Sequence, residues 1–255
     1  SKVAFGAVGS PLFFLVSFVI VTMICGLVII SYRKVISLKK WLEDKCMDRQ
    51  KPKEVANAFI NLHFPNCTAA LLAGSVVRGE ETTTSDLDIV IFDRNLSSSY
   101  RQSVVYDGWP IEVFGHSLTS YKQFFKSDCE RAIPSMPRMV SEGIPIKNNK
   151  MIVKVKEEAN ELLRKGPKKW STETIIIKRY FLTDLLDDFK GCINPTEGIF
   201  IAQAISIALS EFVLRVNQKW SGHSKWLYRA LRNYDVDLAN DFVEEFAEYY
   251  KIGKK

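Results

Sequence analysis

Hydrophobic and polar positions divide this chain into stretches of different period. Residues 3–32 carry no charge, and the run PLFFLVSFVIVTMICGLVII is long enough to cross the hydrocarbon core of a bilayer as one helix. A membrane-spanning segment is therefore expected at residues 11–31. Lys2 precedes it, and Arg33, Lys34, Lys39 and Lys40 follow it, which places the downstream chain on the cytoplasmic side. A cleaved signal peptide is the competing reading, but the apolar core is too long and no small-residue cleavage site comes before the basic cluster. Met47 stands where a self-sufficient domain would start, so translation from there would leave the anchor out.

Past residue 36 the pattern becomes that of a folded domain. Apolar positions at helical spacing over residues 36–62 give an inward face of Trp41, Val55, Ala58, Phe59 and Leu62. Short apolar runs at 69–73, 87–92 and 110–114 predict strands, the last opened by a Gly-Trp-Pro turn after residues 104–107, with Pro110 at its first position or on an edge. Helical spacing then returns at 121–131, at 153–165 past the proline-bearing SMPRM, and at 172–189, 196–217 and 224–234 with a continuation to 250. Gly166-Pro167 ends the helix before 172. The chain reads as an α+β protein: an anchor and juxtamembrane helix (1–46), a sheet-containing domain (47–145) and an all-helical domain (146–255).

Composition changes this picture little. With 255 residues, 47% hydrophobic and 25% charged, the chain is too apolar for disorder and long enough for one large or two modest domains. The net charge of +6 argues less for nucleic acid than it first does, because residues 1–46 hold six Lys/Arg against two Asp/Glu and so carry most of it. Cys25, Cys46, Cys67, Cys129 and Cys192 contain no C-x-x-C pair, and His63, His116 and His223 have no metal-ligand spacing. Reduced thiols and structural or surface histidines are expected.

The chemistry gathers in AGSVVRGEETTTSDLDIVIF, residues 73–92. Alternate strand residues share a face, so Asp86 and Asp88 point one way while Leu87 and Ile89 point into a core. Paired carboxylates repel unless a cation lies between them, and oxygen ligands of this kind suit Mg²⁺. Glu112, between Ile111 and Val113, brings a third carboxylate from a neighbouring strand, enough for a two-metal site. Gly74 lets backbone N–H groups approach a phosphate and Ser75 adds a hydroxyl donor.

Gly74-Ser75, ten residues, Asp86-Leu87-Asp88-Ile89 and a later strand bearing Glu112 resemble the nucleotidyltransferase superfamily that shares its fold with DNA polymerase beta. The single compact domain followed by helices is similar to the aminoglycoside nucleotidyltransferase branch, as are GPKKW, KRYFLTDLLDDF and HSKWLYRAL. The resemblance implies a small mixed β-sheet packed with helices. It also implies Asp86, Asp88 and Glu112 as metal ligands and catalytic carboxylates, with Glu112 as ligand or general base. Gly74, Ser75, Ser85, Arg78 and Lys225 are then the nucleotide-binding set. The reaction expected is transfer of a nucleoside monophosphate, from ATP or another NTP, to a hydroxyl of a small molecule such as an aminoglycoside-like compound, with Mg²⁺ as cofactor and pyrophosphate as leaving group.

The same branch takes its base from a Glu with a Lys one turn later; Glu173 and Lys178 are five apart. Asp184, Asp187 and Asp188 offer alternatives, against the reading that they form a solvated face opposite Leu182, Leu185 and Leu186. Trp220, Trp226 and Tyr228 are read first as core and second as stacking platforms. Two other functions stay open: the same chemistry on a protein, a tRNA end or a second nucleotide, and a membrane-tethered module that binds nucleotide without turnover.

Overall fold

The apolar runs at 69–73 and 87–92 fold as strands β1 (Ala69–Ala73) and β2 (Leu87–Phe92) in a computed structural model that describes residues 50–147 and 150–252. The expected membrane span at 11–31, and Trp41, lie outside the described residues. With β3 (Tyr100–Tyr106), β4 (Trp109–His116) and β5 (Ile144–Lys147) they form one sheet in the order β3–β4–β2–β1–β5. β2 and β4 pair in parallel and the other neighbours antiparallel, so the sheet is mixed.

The β3–β4 hairpin is longer than the hydrophobic pattern indicated. Its turn is Asp107-Gly108, both with positive φ (48° and 76°), a backbone that matches strand twist. β3 is an edge strand with Arg101, Gln102 and Ser103 exposed in succession, which removes the alternation that reveals a strand. Pro110, expected at a first or edge position, is the second residue of interior strand β4, opposite Val105.

Helix α1 (Pro52–His63) covers one face of the sheet with Val55, Ala56, Phe59 and Ile60, which join Leu87, Ile89, Ile111 and Val113. The inward stripe is rotated from the expected one: Ala58 is exposed and Leu62 is 64% exposed. The other face is covered by α2 (Tyr121–Glu130), α3 (Ser135–Glu142) and α4 (Lys150–Lys165), whose Phe125, Met136, Val140, Ile152 and Val155 meet Leu71, Val90 and Phe92. SMPRM, read as an interruption, is the start of α3, where Pro137 sits in the first turn and lacks only an N–H that has no helical acceptor. In packing terms α4 belongs with the sheet.

Gly166, at φ 76°, ends α4, and four helices follow: α5 (Thr172–Gly191), α6 (Pro195–Val216), α7 (Lys225–Tyr234) and α8 (Val236–Ile252). The helix expected to run on to 250 breaks at Asp235, which is extended and caps Leu238 N–H through its carboxylate (3.0 Å). The core here is small, centred on Leu214, Leu231 and Ala239. α5 buries no residue fully, and Ile176, Ile177, Tyr180 and Phe181 lie more than half exposed on it. Among the described residues α6 is the one helix long and apolar enough to cross a membrane by length and composition, with mean hydropathy 1.8. It packs against α5, α7 and α8.

Ile89→Ala is expected to lower unfolding stability by about 2–5 kcal/mol in a urea titration. Leu62→Ala should cost less than about 0.5 kcal/mol; a large loss there would contradict the observed face of α1.

Candidate active site

Strand register assembles the acidic centre. Asp88 on β2 lies directly opposite Glu112 on β4, and their sequence neighbours fill the α1-side core, so both carboxylates project from the opposite face. Asp86 stands two residues upstream of Asp88. One oxygen from each of the three lies within 4.8 Å of the other two. Burial, reinforced by Asp86 and Glu112 and opposed by Arg101 and Arg78, raises the Asp88 carboxyl to about 6. An anionic, all-oxygen donor set whose members repel one another fits a hard divalent cation such as Mg²⁺.

β1 ends beside this centre, with Ala73 opposite Asp88. Gly74 follows at φ 82°, and a Cβ there would overlap the Asp88 carboxylate, so conformation and space both require glycine. Ser75 opens a short 3₁₀ turn (Ser75–Val77) and donates to Ser85 Oγ at 3.2 Å. Ser85 Oγ in turn accepts Thr82 N–H at 2.8 Å. Ser85 thus shapes the loop that carries Ser75 and leads into Asp86.

A cleft of about 250 Å³ opens here, bounded on the sheet side by Gly74, Ser75, Arg78, Asp86 and Asp88 and on the helical side by Ser221, Gly222, His223, Lys225 and Trp226. Two contacts hold the walls together: Ser221 N–H donates to Ala132 C=O (2.8 Å) and Arg229 pairs with Glu80 (2.8 Å). Trp226 is surrounded by guanidinium groups, with Arg78 and Arg229 each 4.7 Å from its ring centroid and Arg138 at 5.5 Å. Arg78 is bound to Glu80 (3.0 Å) and Glu142 (2.8 Å). Among the described residues no carboxylate forms an ion pair with Arg138. Burial holds its guanidinium below the ordinary value, Glu142 works against that and Arg78 adds to it, but the group stays charged.

Six of the expected site residues therefore line one cleft: Gly74, Ser75, Arg78, Asp86, Asp88 and Lys225. Ser85 supports them from behind. Glu112 adjoins Asp88 but is gripped by Arg101, whose Nη2 donates to Oε1 (2.6 Å) and Oε2 (2.5 Å) and whose Nε donates to Oε1 (3.1 Å). Of the three aromatics, Trp226 reaches the cleft, whereas Trp220 donates to Leu163 C=O (2.8 Å) in a structural contact. Glu173, Lys178, Asp184, Asp187 and Asp188 do not line it; Lys178 pairs with Glu211 (2.8 Å) and Asp187 with Lys190 (3.0 Å). His223, expected to be structural or on the surface, lines the cleft, and Arg101 and Arg138 carry no signal in the sequence. The strand that carries Arg101 was not delineated by hydrophobicity, and Arg138 sits in a segment read as a break, so neither had a local signal.

No protein-family model matches the chain, and no curated protein matches it. Among solved structures it is similar to a nucleotidyltransferase-like protein from Exiguobacterium sibiricum, at 10% identity and a TM-score of 0.40, with 74% of this chain and 65% of that chain covered. The chain thus spans slightly less than two thirds of that protein's length. So distant a likeness assigns neither family nor activity, and the chemistry of the site rests on its own geometry.

Because the Asp88 pKa is raised on folding, its contribution favours the fold below the ordinary carboxylate pKa and is lost as pH rises through about 6. His116, buried and pushed down to about 4, acts oppositely: its contribution is lost as pH falls from about 6.5 toward 4. The difference between wild type and Asp88→Asn isolates the carboxylate. In metal-free buffer Asp88→Asn should melt higher than wild type at pH 7.5 and lose that advantage by pH 4. Mg²⁺ should raise the wild-type melting temperature at pH 7.5 and not that of the variant.

Proposed function

We propose that the protein is a divalent-cation-dependent nucleotidyltransferase that moves a nucleoside monophosphate, AMP from ATP in the first instance, onto a hydroxyl of a small molecule. The observation that carries this reading is the convergence, in one cleft, of paired Asp86 and Asp88, a glycine turn pressed against Asp88, and Arg138, which forms no ion pair among the described residues. Asp86 and Asp88, with Glu112 once released by Arg101, would hold Mg²⁺, which when bound neutralises charge on the reacting phosphate and the leaving pyrophosphate.

In this reading the backbone at Gly74-Ser75 and the Ser75 hydroxyl hold the phosphate chain. Arg138, Arg78 and Lys225 offset its charge from the other walls. Trp226, flanked by guanidinium groups, keeps Arg138 and Arg78 together on this cleft. The acceptor oxygen forms a bond to the α-phosphorus, the bond to the bridging oxygen of the β-phosphate breaks, and pyrophosphate departs. The acceptor proton passes to Glu112 or to solvent. An aminoglycoside-like compound is one hydroxyl acceptor consistent with the resemblance of the sequence. Residues 11–31 tether this activity to the cytoplasmic face of a membrane, where nucleoside triphosphates are abundant.

The full chain incubated with ATP, Mg²⁺ and a panel of hydroxyl compounds should release pyrophosphate. Asp86→Ala should reduce that rate on the order of 10³-fold, the equivalent of several kcal/mol of lost transition-state stabilisation. Arg138→Ala should raise the KM for ATP by roughly 10–100-fold, the worth of a charge-assisted hydrogen bond. ATP binding without pyrophosphate release for any acceptor would instead support a module that binds nucleotide without turnover.

A further inference from the structure

A second cavity, of about 350 Å³, lies on the other side of Ser135 and Met139, residues that line both it and the cleft beside Asp86 and Asp88. Its position follows from strand register. Glu112, Phe114 and His116 alternate along one face of β4, so a line drawn from the acidic centre along that strand runs into this cavity. Arg101, opposite Phe114 on β3, stands at the junction, gripping Glu112 while its guanidinium lies 5.2 Å from the Phe114 ring centroid.

The lining is largely apolar: Tyr100, Phe114, Phe124, Met136 and Met139. The polar groups among them are mostly committed. His116 is held neutral by burial, and its Nδ1 meets Ser99 Oγ at 3.1 Å. Asp128 accepts Met136 N–H (2.7 Å) and pairs with Arg131 (2.5 Å), so its charge is matched. Arg101 differs. Its partner Glu112 is one of the three carboxylates that would hold the divalent cation, and a cation taking that charge leaves the Arg101 fork, 64% exposed, without an acid.

We propose that this cavity receives the acceptor of the transfer reaction and that the acceptor is a small 2-hydroxy carboxylic acid with an aromatic or apolar body: Arg101 takes its carboxylate at the junction, which keeps the adjacent hydroxyl toward the acidic centre while the body fills the cavity. This rests on the nucleotidyltransferase reading of the neighbouring cleft. The two-pronged grip on Glu112 already displays the geometry in which Arg101 binds a carboxylate. A polycationic acceptor, the aminoglycoside-like compound suggested by the sequence resemblance included, would meet the guanidinium groups of Arg101 and Arg131 at the rim and is disfavoured.

The test uses three compounds of one shape and different charge: 3-phenyllactate, 3-phenyllactamide and 1-amino-3-phenylpropan-2-ol. Each is titrated into the full chain labelled with ¹³C at the methionine methyls, in the presence and absence of Mg²⁺. The acid should move the Met136 and Met139 signals saturably and bind about tenfold or more tightly than the amine, with Mg²⁺ strengthening it. Arg101→Ala should weaken it by roughly 10–100-fold and Arg101→Lys by less. The amine binding as tightly as the acid, no shift at either methionine with the acid, or displacement of the acid by AMP alone would overturn the proposal. ATP is titrated separately and read from the Trp226 indole signal. Acid binding without ATP binding would sink the nucleotidyltransferase reading and leave this cavity a carboxylate site; ATP binding without acid binding would do the reverse.

Discussion

Parallel pairing of β2 with β4 places Asp88 and Glu112 directly across from each other at half-buried positions, with Asp86 close by. Their mutual repulsion is the constraint around which the site is arranged. The pairing cannot slip to relieve it, because a shift by one residue would turn Leu87, Ile89, Ile111 and Val113 out of the α1-side core. The apolar half of each strand thus holds the charged half in an unfavourable place. Two features answer that repulsion: the Asp88 carboxyl is raised to about 6, and Arg101 takes hold of Glu112.

The second wall of the site depends on a different interaction. Trp226 gathers Arg78, Arg138 and Arg229 around its ring, and Glu80 and Glu142 balance the charge of Arg78 and Arg229, whereas Arg138 forms no ion pair among the described residues. A half-buried cation in the same cleft is costly unless an anion joins it. One cleft thus brings together a cluster of mutually repelling carboxylates and an arginine that, among the described residues, has no carboxylate partner. In the proposed reading a metal-bound triphosphate would relieve both.

Much of this was legible in the residue pattern. Asp88 and Glu112 lie on strands, where alternate residues share a face, so their common direction followed from period-two reading, and Gly74, Ser75 and Asp86 flank those strands in the loop between β1 and β2. The rest was hidden for physical reasons. β3 is a polar edge strand, so Arg101 appeared to lie in a loop; Pro137 made α3 look like a break, which concealed Arg138. The inward face of α1 was displaced by one position because 55/56/59/60 and 55/58/59/62 are both acceptable helical stripes, and only contact with the sheet selects between them. Lys225 and Trp226 were noticed for their chemistry, but their meeting with Arg78 depends on the Ser221–Ala132 tether between distant loops, which no local pattern encodes.

The central claim is that the carboxylate cluster is completed by a divalent cation bound together with a nucleoside triphosphate. A crystal of the protein grown with Mn²⁺ and a non-hydrolysable ATP analogue, measured at the manganese absorption edge, tests it directly. The account predicts anomalous density between Asp86 and Asp88, a phosphate chain passing Gly74-Ser75 toward Arg138, and Glu112 turned from Arg101 to the metal. Anomalous density elsewhere, or an analogue bound away from Gly74 with the Arg101–Glu112 pair intact, would contradict it.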